Sequence, residues 1–261
     1  MRRSLRSEQH GLSLIELMIS MVLSLVVLAG VVSIFTANRA VNRTSDNLSR
    51  LQESARTAFE LMSRDIREAG INDCGRIQRV ANILQGGNAI WWANWNGGLT
   101  GYESGVTMPG VATGGGVAQR VAGTDSINMM RGVGNGLTVV SHDPATRQFK
   151  VNKPHGFVDG EVVIACDFMQ ASIFQISNAN IGNTTLVHDT GGVVPGNCSR
   201  GLGWKNPTDC TATGTTYTYG PNSSLMKLES ASWYVGNNGR AAEGGRSLYR
   251  TSMSVSGGTA A

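Results

Sequence analysis

The sequence of 261 residues lacks the short motifs by which most enzymes and metal sites are found. It contains no G-x-S-x-G, no H-E-x-x-H and no D-x-D-x-D-G loop, which are typical of serine hydrolases, zinc proteases and calcium loops. Its four histidines are scattered, and none of its four cysteines belongs to a C-x-x-C pair of the kind that binds zinc. The sequence therefore predicts neither an enzyme nor a protein with a cofactor or a metal ion.

Two weaker signals of enzyme chemistry have simpler interpretations. The segment Gly132–Gly136 is similar to a phosphate-binding loop, but no Lys-Ser/Thr ending and no helix pattern follow it, so we interpret it as a hairpin turn. His142 precedes Asp143 and His188 precedes Asp189. Because neighbours along a strand point to opposite faces, neither pair is expected to be catalytic.

Charge is absent from one long stretch near the amino terminus. Between Leu17 and Thr36 the sequence has no charged residue, and as a helix this run of about 20 residues is long enough to cross a bilayer core of about 30 Å. Glu16 lies at the head of the run, and no Lys or Arg occurs between Leu12 and Asn38. Because an ionised carboxylate in hydrocarbon requires a partner, we expect that partner to come from outside this segment.

The residues before Glu16 indicate what that partner is. Gly11-Leu-Ser-Leu-Ile-Glu16 follows a short basic leader and resembles the type III signal of type IV pilins and pseudopilins. In that family a prepilin peptidase cuts after the glycine and methylates the new amino terminus, which pairs with the glutamate of a neighbouring subunit. The resemblance implies cleavage between Gly11 and Leu12, N-methylation of Leu12 and an assembly salt bridge of Glu16. The first mature residue is usually Phe in the family, whereas here it is Leu12.

A secretory signal peptide and a plain membrane anchor are the other interpretations of this segment. The apolar run is longer than the usual core of a signal peptide, and Thr36–Ala40 is a poor cleavage site. Three arginines of the leader favour a cytoplasmic amino terminus and a periplasmic location for everything after Phe35. Without the leader the chain has 19 basic and 17 acidic residues, a balance that does not predict direct binding of nucleic acid.

All the cysteines fall in the part that is expected to be periplasmic. Their number is even and the compartment is oxidising, so two disulfides are predicted, with three pairings possible. A zinc site is the alternative, but the cysteine spacing does not favour it. The candidates are Cys74, Cys166, Cys198 and Cys210.

A helical pattern continues beyond the apolar run. No glycine or proline occurs between Gly30 and Gly70, and an apolar stripe recurs at steps of three and four residues from Leu48 to Ala69. Gly70 is the expected stop, because glycine readily takes the left-handed conformation at the end of a helix. We expect one helix over residues 12–69, with its second half packed against a globular head.

The composition changes after Gly70. Residues 71–261 hold 31 of the 34 glycines and all six prolines, and short β-rich runs alternate with turn signals. We interpret the aromatic region 88–116 as a cap on a core, with a binding surface for sugars or partner proteins as the alternative. The predicted strands are Ser126–Arg131, Leu137–His142, Gln148–Val151, Glu161–Phe168, Ser172–Ile176, Thr184–His188, Leu225–Val235 and Ser247–Arg250.

The fold class that follows is α+β and type IV pilin-like, with a long amino-terminal helix, hydrophobic in its first half, on a β-rich head. The predicted organisation is a leader (residues 1–11), a transmembrane or filament-core helix (12–36), an amphipathic continuation (37–70) and a head (71–261).

Three segments of the chain narrow the resemblance to the PilW family of large minor pilins. They are Ala58–Gly70, Ala165–Ser177 and Ser247–Arg250. The resemblance implies a non-enzymatic member of a minor-pilin priming complex at the filament tip, with roles in adhesion, twitching motility or DNA uptake. Implied partners are other minor pilins, the major pilin, prepilin peptidase and the inner-membrane assembly platform. The implied location is the inner membrane, single-pass, before assembly and the pilus afterwards.

Three further interpretations stay open. PilW-like proteins usually continue past the third segment into more strands, so this chain is either a shortened homologue or a truncated reading frame, and a sheet edge is then left unpaired. A minor pseudopilin of a type II secretion system shares the amino-terminal signal and the long helix. A bitopic periplasmic binding protein or adhesin is the alternative from another class, and its leader is expected to stay uncleaved.

Overall fold

The computed structural model describes residues 13–75, 78–180 and 182–261. The chain divides into two compact units, residues 1–59 and residues 60–261. The leader and both residues of the predicted cleavage site, Gly11 and Leu12, lie outside the described residues.

One long helix, α1, runs from Leu14 to Glu68 and contains 55 residues. It ends where the sequence predicts, because Gly70 takes a left-handed φ of 76° and its N–H donates to the carbonyl of Met130 at 2.8 Å. A Cβ at Gly98 would lie 2.4 Å from the Cα of Gly70, so the backbones approach too closely here for any side chain at residue 98.

Eleven strands and three short 3-10 helices follow in the described part of the chain. Nine strands form one sheet in the order β1-β6-β5-β8-β3-β4-β7, with β2 paired to β3 and β9 paired to β8, and two more form a small separate ribbon. In the nine-stranded sheet β1 and β6 pair in parallel, and the other pairs are antiparallel. The strands are β1 (Val80–Asn82), β2 (Leu99–Tyr102), β3 (Ser126–Asp143), β4 (Gln148–Val151), β5 (Val162–Cys166), β6 (Ala171–Gln175), β7 (Thr185–Val187), β8 (Ser224–Asn237), β9 (Arg246–Ser252), β10 (Val255–Ser256) and β11 (Thr259–Ala260), and the 3-10 helices are Gly87–Ala89, Asn96–Gly98 and Ala241–Glu243.

The glycine-rich segment Gly132–Gly136 is part of strand β3, so the prediction of a hairpin turn there is wrong. Pairing with β8 steps from Gly134 opposite Met226 to Thr138 opposite Ser224, which leaves two extra residues on β3. Glycines are suited to such a bulge and to close approach. A Cβ at Gly134 would come within 2.4 Å of the Asp73 carboxylate, so that side chain would have to move to accommodate it.

Apolar side chains pack on both faces of the central sheet. All five residues of β5 are buried, with Val163 and Ala165 in one cluster and Val162, Ile164 and Cys166 in the other. Because strand residues alternate between faces, a strand covered on both sides is apolar throughout. The first cluster centres on Phe149 and Phe174, and the second on Trp92 and Ile173.

These observations confirm the predicted fold class, a long amino-terminal helix and a β-rich head. Only the last turns of the helix, from Met62 to Glu68, contain half-buried residues that belong to the head unit. Leu48 and Leu51, from the predicted amphipathic stripe, are 55% and 66% exposed.

Candidate assembly helix and head junction

The first part of α1 presents an apolar surface on all sides. From Leu14, 76% exposed, to Phe35, 56% exposed, every large apolar side chain is exposed. Among the described residues, this helix alone is long and apolar enough to cross a membrane. So large an exposed apolar surface indicates a lipid or protein environment around it.

Three hydroxyl groups in this part of the helix are satisfied by its own backbone. Ser20 donates to the carbonyl of Glu16, Ser24 to that of Ser20 at 2.7 Å and Thr36 to that of Val32 at 3.0 Å. Such bonds to the preceding turn let serine and threonine lie in apolar surroundings without an unpaired donor.

The side chain of Glu16, unlike these hydroxyl groups, is a charged acceptor and cannot donate a hydrogen bond to the helix backbone. No residue in the described part of the chain forms an ion pair with it, and the first cation after it on the helix is Arg39. At about 1.5 Å per residue, 23 residues place that cation about 35 Å along the axis. The Arg39 guanidinium lies 4.6 Å from the centre of the Phe35 ring. Glu16 therefore has no cationic partner among the described residues of this chain.

A narrow part of the helix surface surrounds Gly30. Ala29, Gly30 and Ser33 are small, and a Cβ placed on Gly30 would meet no atom within 4 Å. Small residues let the backbone of another helix approach closely in a membrane.

At its other end the helix contacts the sheet through Asp65. This carboxylate accepts hydrogen bonds from the Arg250 Nε at 2.7 Å and from the indole N–H of Trp233 at 2.8 Å. Burial alone would raise the pKa of Asp65, but the hydrogen bonds from Arg250 and Trp233 outweigh it and the pKa is lowered. The last turns of α1 are thus fixed to β8 and β9 by an ionised group.

A second contact of the helix end is a chain of three charged side chains. Arg131 on β3 pairs with Glu68 of the helix and also donates to Glu229 of β8 at 2.6 Å. The neighbouring Lys227 pairs with Glu161 at 2.5 Å. A cavity of about 300 Å³ lies between the end of the helix and the sheet. Its charged lining residues are Asp65, Arg131, Glu161, Lys227, Glu229 and Arg250.

The four cysteines form two disulfides, Cys74–Cys166 and Cys198–Cys210. This pairing fits the expectation of two disulfides and selects one of the three pairings. The first joins the segment after the helix to the last residue of β5, and the second closes a local loop of the head. A metal ion is not needed to account for any cysteine, and the described residues contain no cluster of three metal-ligating side chains.

Two histidines meet in the core, which the sequence reasoning missed. Nε2 of His142 lies 3.0 Å from Nε2 of His188, and the Tyr219 N–H donates to Nδ1 of His142 at 3.2 Å. This bond places the His142 proton on Nε2, so His142 donates to His188. Burial lowers the pKa of both rings, and both are neutral at pH 7. In the sequence, the two histidines are linked only by a shared pattern, since each comes directly before an aspartate at the end of a predicted strand.

The tryptophans of the region 88–116 mainly serve the core. Trp92 is buried in the second cluster, and Trp91 and Trp95 pack against it. The structure therefore favours the interpretation of this region as a cap on the core.

Among known protein families, one motif matches this chain, and it covers only the amino-terminal part. The prokaryotic N-terminal methylation motif matches residues 6–32, which is 27 of the 261 residues and includes Glu16. No curated protein and no solved structure matches the chain significantly. The motif, together with the long apolar helix and the β-rich head, supports a type IV pilin-like protein, a structural class rather than an enzyme. Motif and helix also indicate membrane anchoring and an association with pili.

Proposed function

We propose that this chain is a minor pilin of the type IV pilus, of the PilW type. The observation that carries the proposal is the methylation motif over residues 6–32, with Glu16 at the head of an apolar helix that is exposed on all sides. A carboxylate in this position has no use in a plain anchor and is costly there.

The proposed sequence of events begins in the inner membrane, with the amino terminus in the cytoplasm and the head in the periplasm. Prepilin peptidase cuts between Gly11 and Leu12 and methylates Leu12. The new amine of one subunit then pairs with Glu16 of its neighbour in a filament. Because an unpaired charge in an apolar bundle is disfavoured, this pair selects one axial register among many similar apolar contacts. The small residues around Gly30 support close packing of the helices.

The head makes the specific contacts in this proposal. It joins other minor pilins in a complex that primes assembly at the tip of the filament and contributes to adhesion, twitching motility or DNA uptake. Its support is the resemblance of the three segments, Ala58–Gly70, Ala165–Ser177 and Ser247–Arg250, to PilW proteins. Two of these segments lie at the head junction, which includes Asp65 and Arg250.

The first test replaces the carboxylate. Glu16→Ala is expected to insert normally in the membrane and to be absent from filaments, because the register contact is lost. Immunoblots of sheared pili and of inner-membrane fractions measure this. Glu53→Ala, on the exposed surface of the same helix, is the matched control and should be incorporated normally. Normal incorporation of Glu16→Ala would refute the role of the salt bridge.

The second test addresses processing. Gly11→Ser is expected to remain uncut and to migrate as the longer precursor, while Gly30→Ser is cut normally. Mass spectrometry of the wild-type amino terminus should find a methylated Leu12. A native protein that still begins at Met1 would contradict the proposal and favour a bitopic binding protein or adhesin. If deletion of the gene abolishes protein secretion and leaves the pili intact, the chain is better explained as a pseudopilin.

A further inference from the structure

A cleft on the head, beside the edge strand β1, has the size of a ligand site. Its volume is about 590 Å³, within the range of about 300–1,000 Å³ that is usual for small-molecule sites. No charged residue of the described chain lines it. Its polar lining consists of side-chain amides, and two indole rings border it. These residues are Asn72, Gln78, Asn82, Asn88, Asn94 and Asn96, with Trp95 and Trp204.

The amides divide into a fixed group and a free group. Asn82 is buried, and its Nδ2 donates to the Asn88 Oδ1 at 3.1 Å and to the Ala93 carbonyl at 2.9 Å. This contact orients the Asn88 amide with its NH2 group still unused. Gln78 and Asn94 form no side-chain hydrogen bond with any described residue. The cleft thus offers amide donors and acceptors whose positions are set by a buried neighbour.

The indole rings differ in exposure but both are held in place. Trp95 packs against the second core cluster, which restricts its ring. Trp204 is 39% exposed, the Arg79 guanidinium lies 5.5 Å from its centre, and its backbone N–H donates to the Gln170 Oε1 at 2.9 Å. Aromatic rings of this kind bind apolar faces that carry polar groups at their edges.

We propose that this cleft binds a neutral oligosaccharide. A sugar hydroxyl both donates and accepts hydrogen bonds, and an amide side chain complements both functions without the desolvation cost of a charge. The C–H face of a pyranose ring fits an indole ring. An extended peptide is the less suitable ligand, because the Asn82 amide beside β1 already donates to the Asn88 Oδ1 and to the Ala93 carbonyl and is not free to bind a peptide backbone. The inference goes beyond the proposed assembly function, since binding is a property of the isolated chain.

The test uses the full chain purified in a detergent without a sugar headgroup, because a maltoside would occupy the site. Cellotriose, maltotriose and chitotriose are titrated by isothermal calorimetry, and trigalacturonate is the charged comparison. At least one neutral trisaccharide is expected to bind, and Trp204→Ala should weaken its binding about tenfold or more. Phe168→Ala is the matched control, because Phe168 is 93% exposed and lies outside the cleft lining.

Two further variants separate recognition from folding. Trp204→Phe keeps an aromatic face and should retain most of the affinity, and Gln78→Ala should lose part of it without a change in thermal stability, because its side chain contacts no described partner. The proposal is overturned if no neutral trisaccharide binds at about 10 mM, a concentration above the weakest useful affinities. It is also overturned if Trp204→Ala binds as well as the wild type, if trigalacturonate is preferred, or if only a decapeptide binds.

Discussion

Removal of the Cys74–Cys166 disulfide should destabilise the head far more than removal of Cys198–Cys210. The first bond closes a loop with a sequence separation of 92 residues and the second a loop of 12. In the chain-entropy account these loops contribute about 4.6 and about 2.8 kcal/mol to the free energy of unfolding. The expected difference between the two double Cys→Ala variants is therefore about 1.8 kcal/mol.

Burial increases this difference rather than reducing it. Cys166 is fully buried in the second core cluster, so its replacement by alanine also removes a packed sulfur atom. Cys210 is exposed, and its replacement leaves no comparable gap. Cys74 lies only six residues beyond Glu68, so the first bond also restrains the segment that follows α1.

Urea unfolding of the full chain in detergent measures the effect. All five tryptophans lie between Trp91 and Trp233, inside the unit of residues 60–261, so their fluorescence follows the unfolding of the head alone. The reasoning is refuted if the Cys74/Cys166 double variant is as stable as the Cys198/Cys210 double variant, or more stable. Equal slopes of the free energy against urea concentration are needed for the comparison, because a changed slope indicates a changed unfolded state.

Two more predictions concern charged and titrating groups of the head. Burial lowers the pKa of His188 in the folded head, whereas the unfolded side chain binds a proton below about pH 6.5, so the free energy of unfolding falls as the pH falls. We expect His188 to cost about 2 kcal/mol of that free energy between pH 7 and pH 5. Urea unfolding at both pH values should show a smaller loss in His188→Leu. An identical loss in the variant would contradict this. Asp65→Asn keeps an acceptor for Trp233 but loses the charged contact with Arg250, and should lower the free energy of unfolding by about 1–3 kcal/mol, while Glu53→Gln changes it by less than about 0.5 kcal/mol. An unchanged Asp65→Asn would show that the ion pair does not stabilise the junction.

Local patterns in the sequence were enough to predict the helix and most strands. The charge-free run, the missing glycines before Gly70 and the alternation at Gln148–Val151 each act over a few residues, and the structure has an element at each place. Strand β1 was missed because it has three residues and pairs in parallel with β6, about 90 residues away, so no local period marks it.

Contacts between distant residues could not be predicted from one sequence. The His142–His188 contact depends on β4 lying between β3 and β7, and a pattern within one strand does not contain this order. The segment Gly132–Gly136 has the composition of a turn, but its pairing with the distant strand β8, across a register shift, makes it part of a strand. The Asp65–Trp233 bond spans 168 residues.

Trp204 lies inside the loop that the Cys198–Cys210 disulfide closes. Its position in the cleft therefore depends on an oxidation step that the cytoplasm does not favour. With the topology proposed above, the loop that carries Trp204 would be closed only after export, so the proposed binding cleft would be completed only in the oxidising compartment.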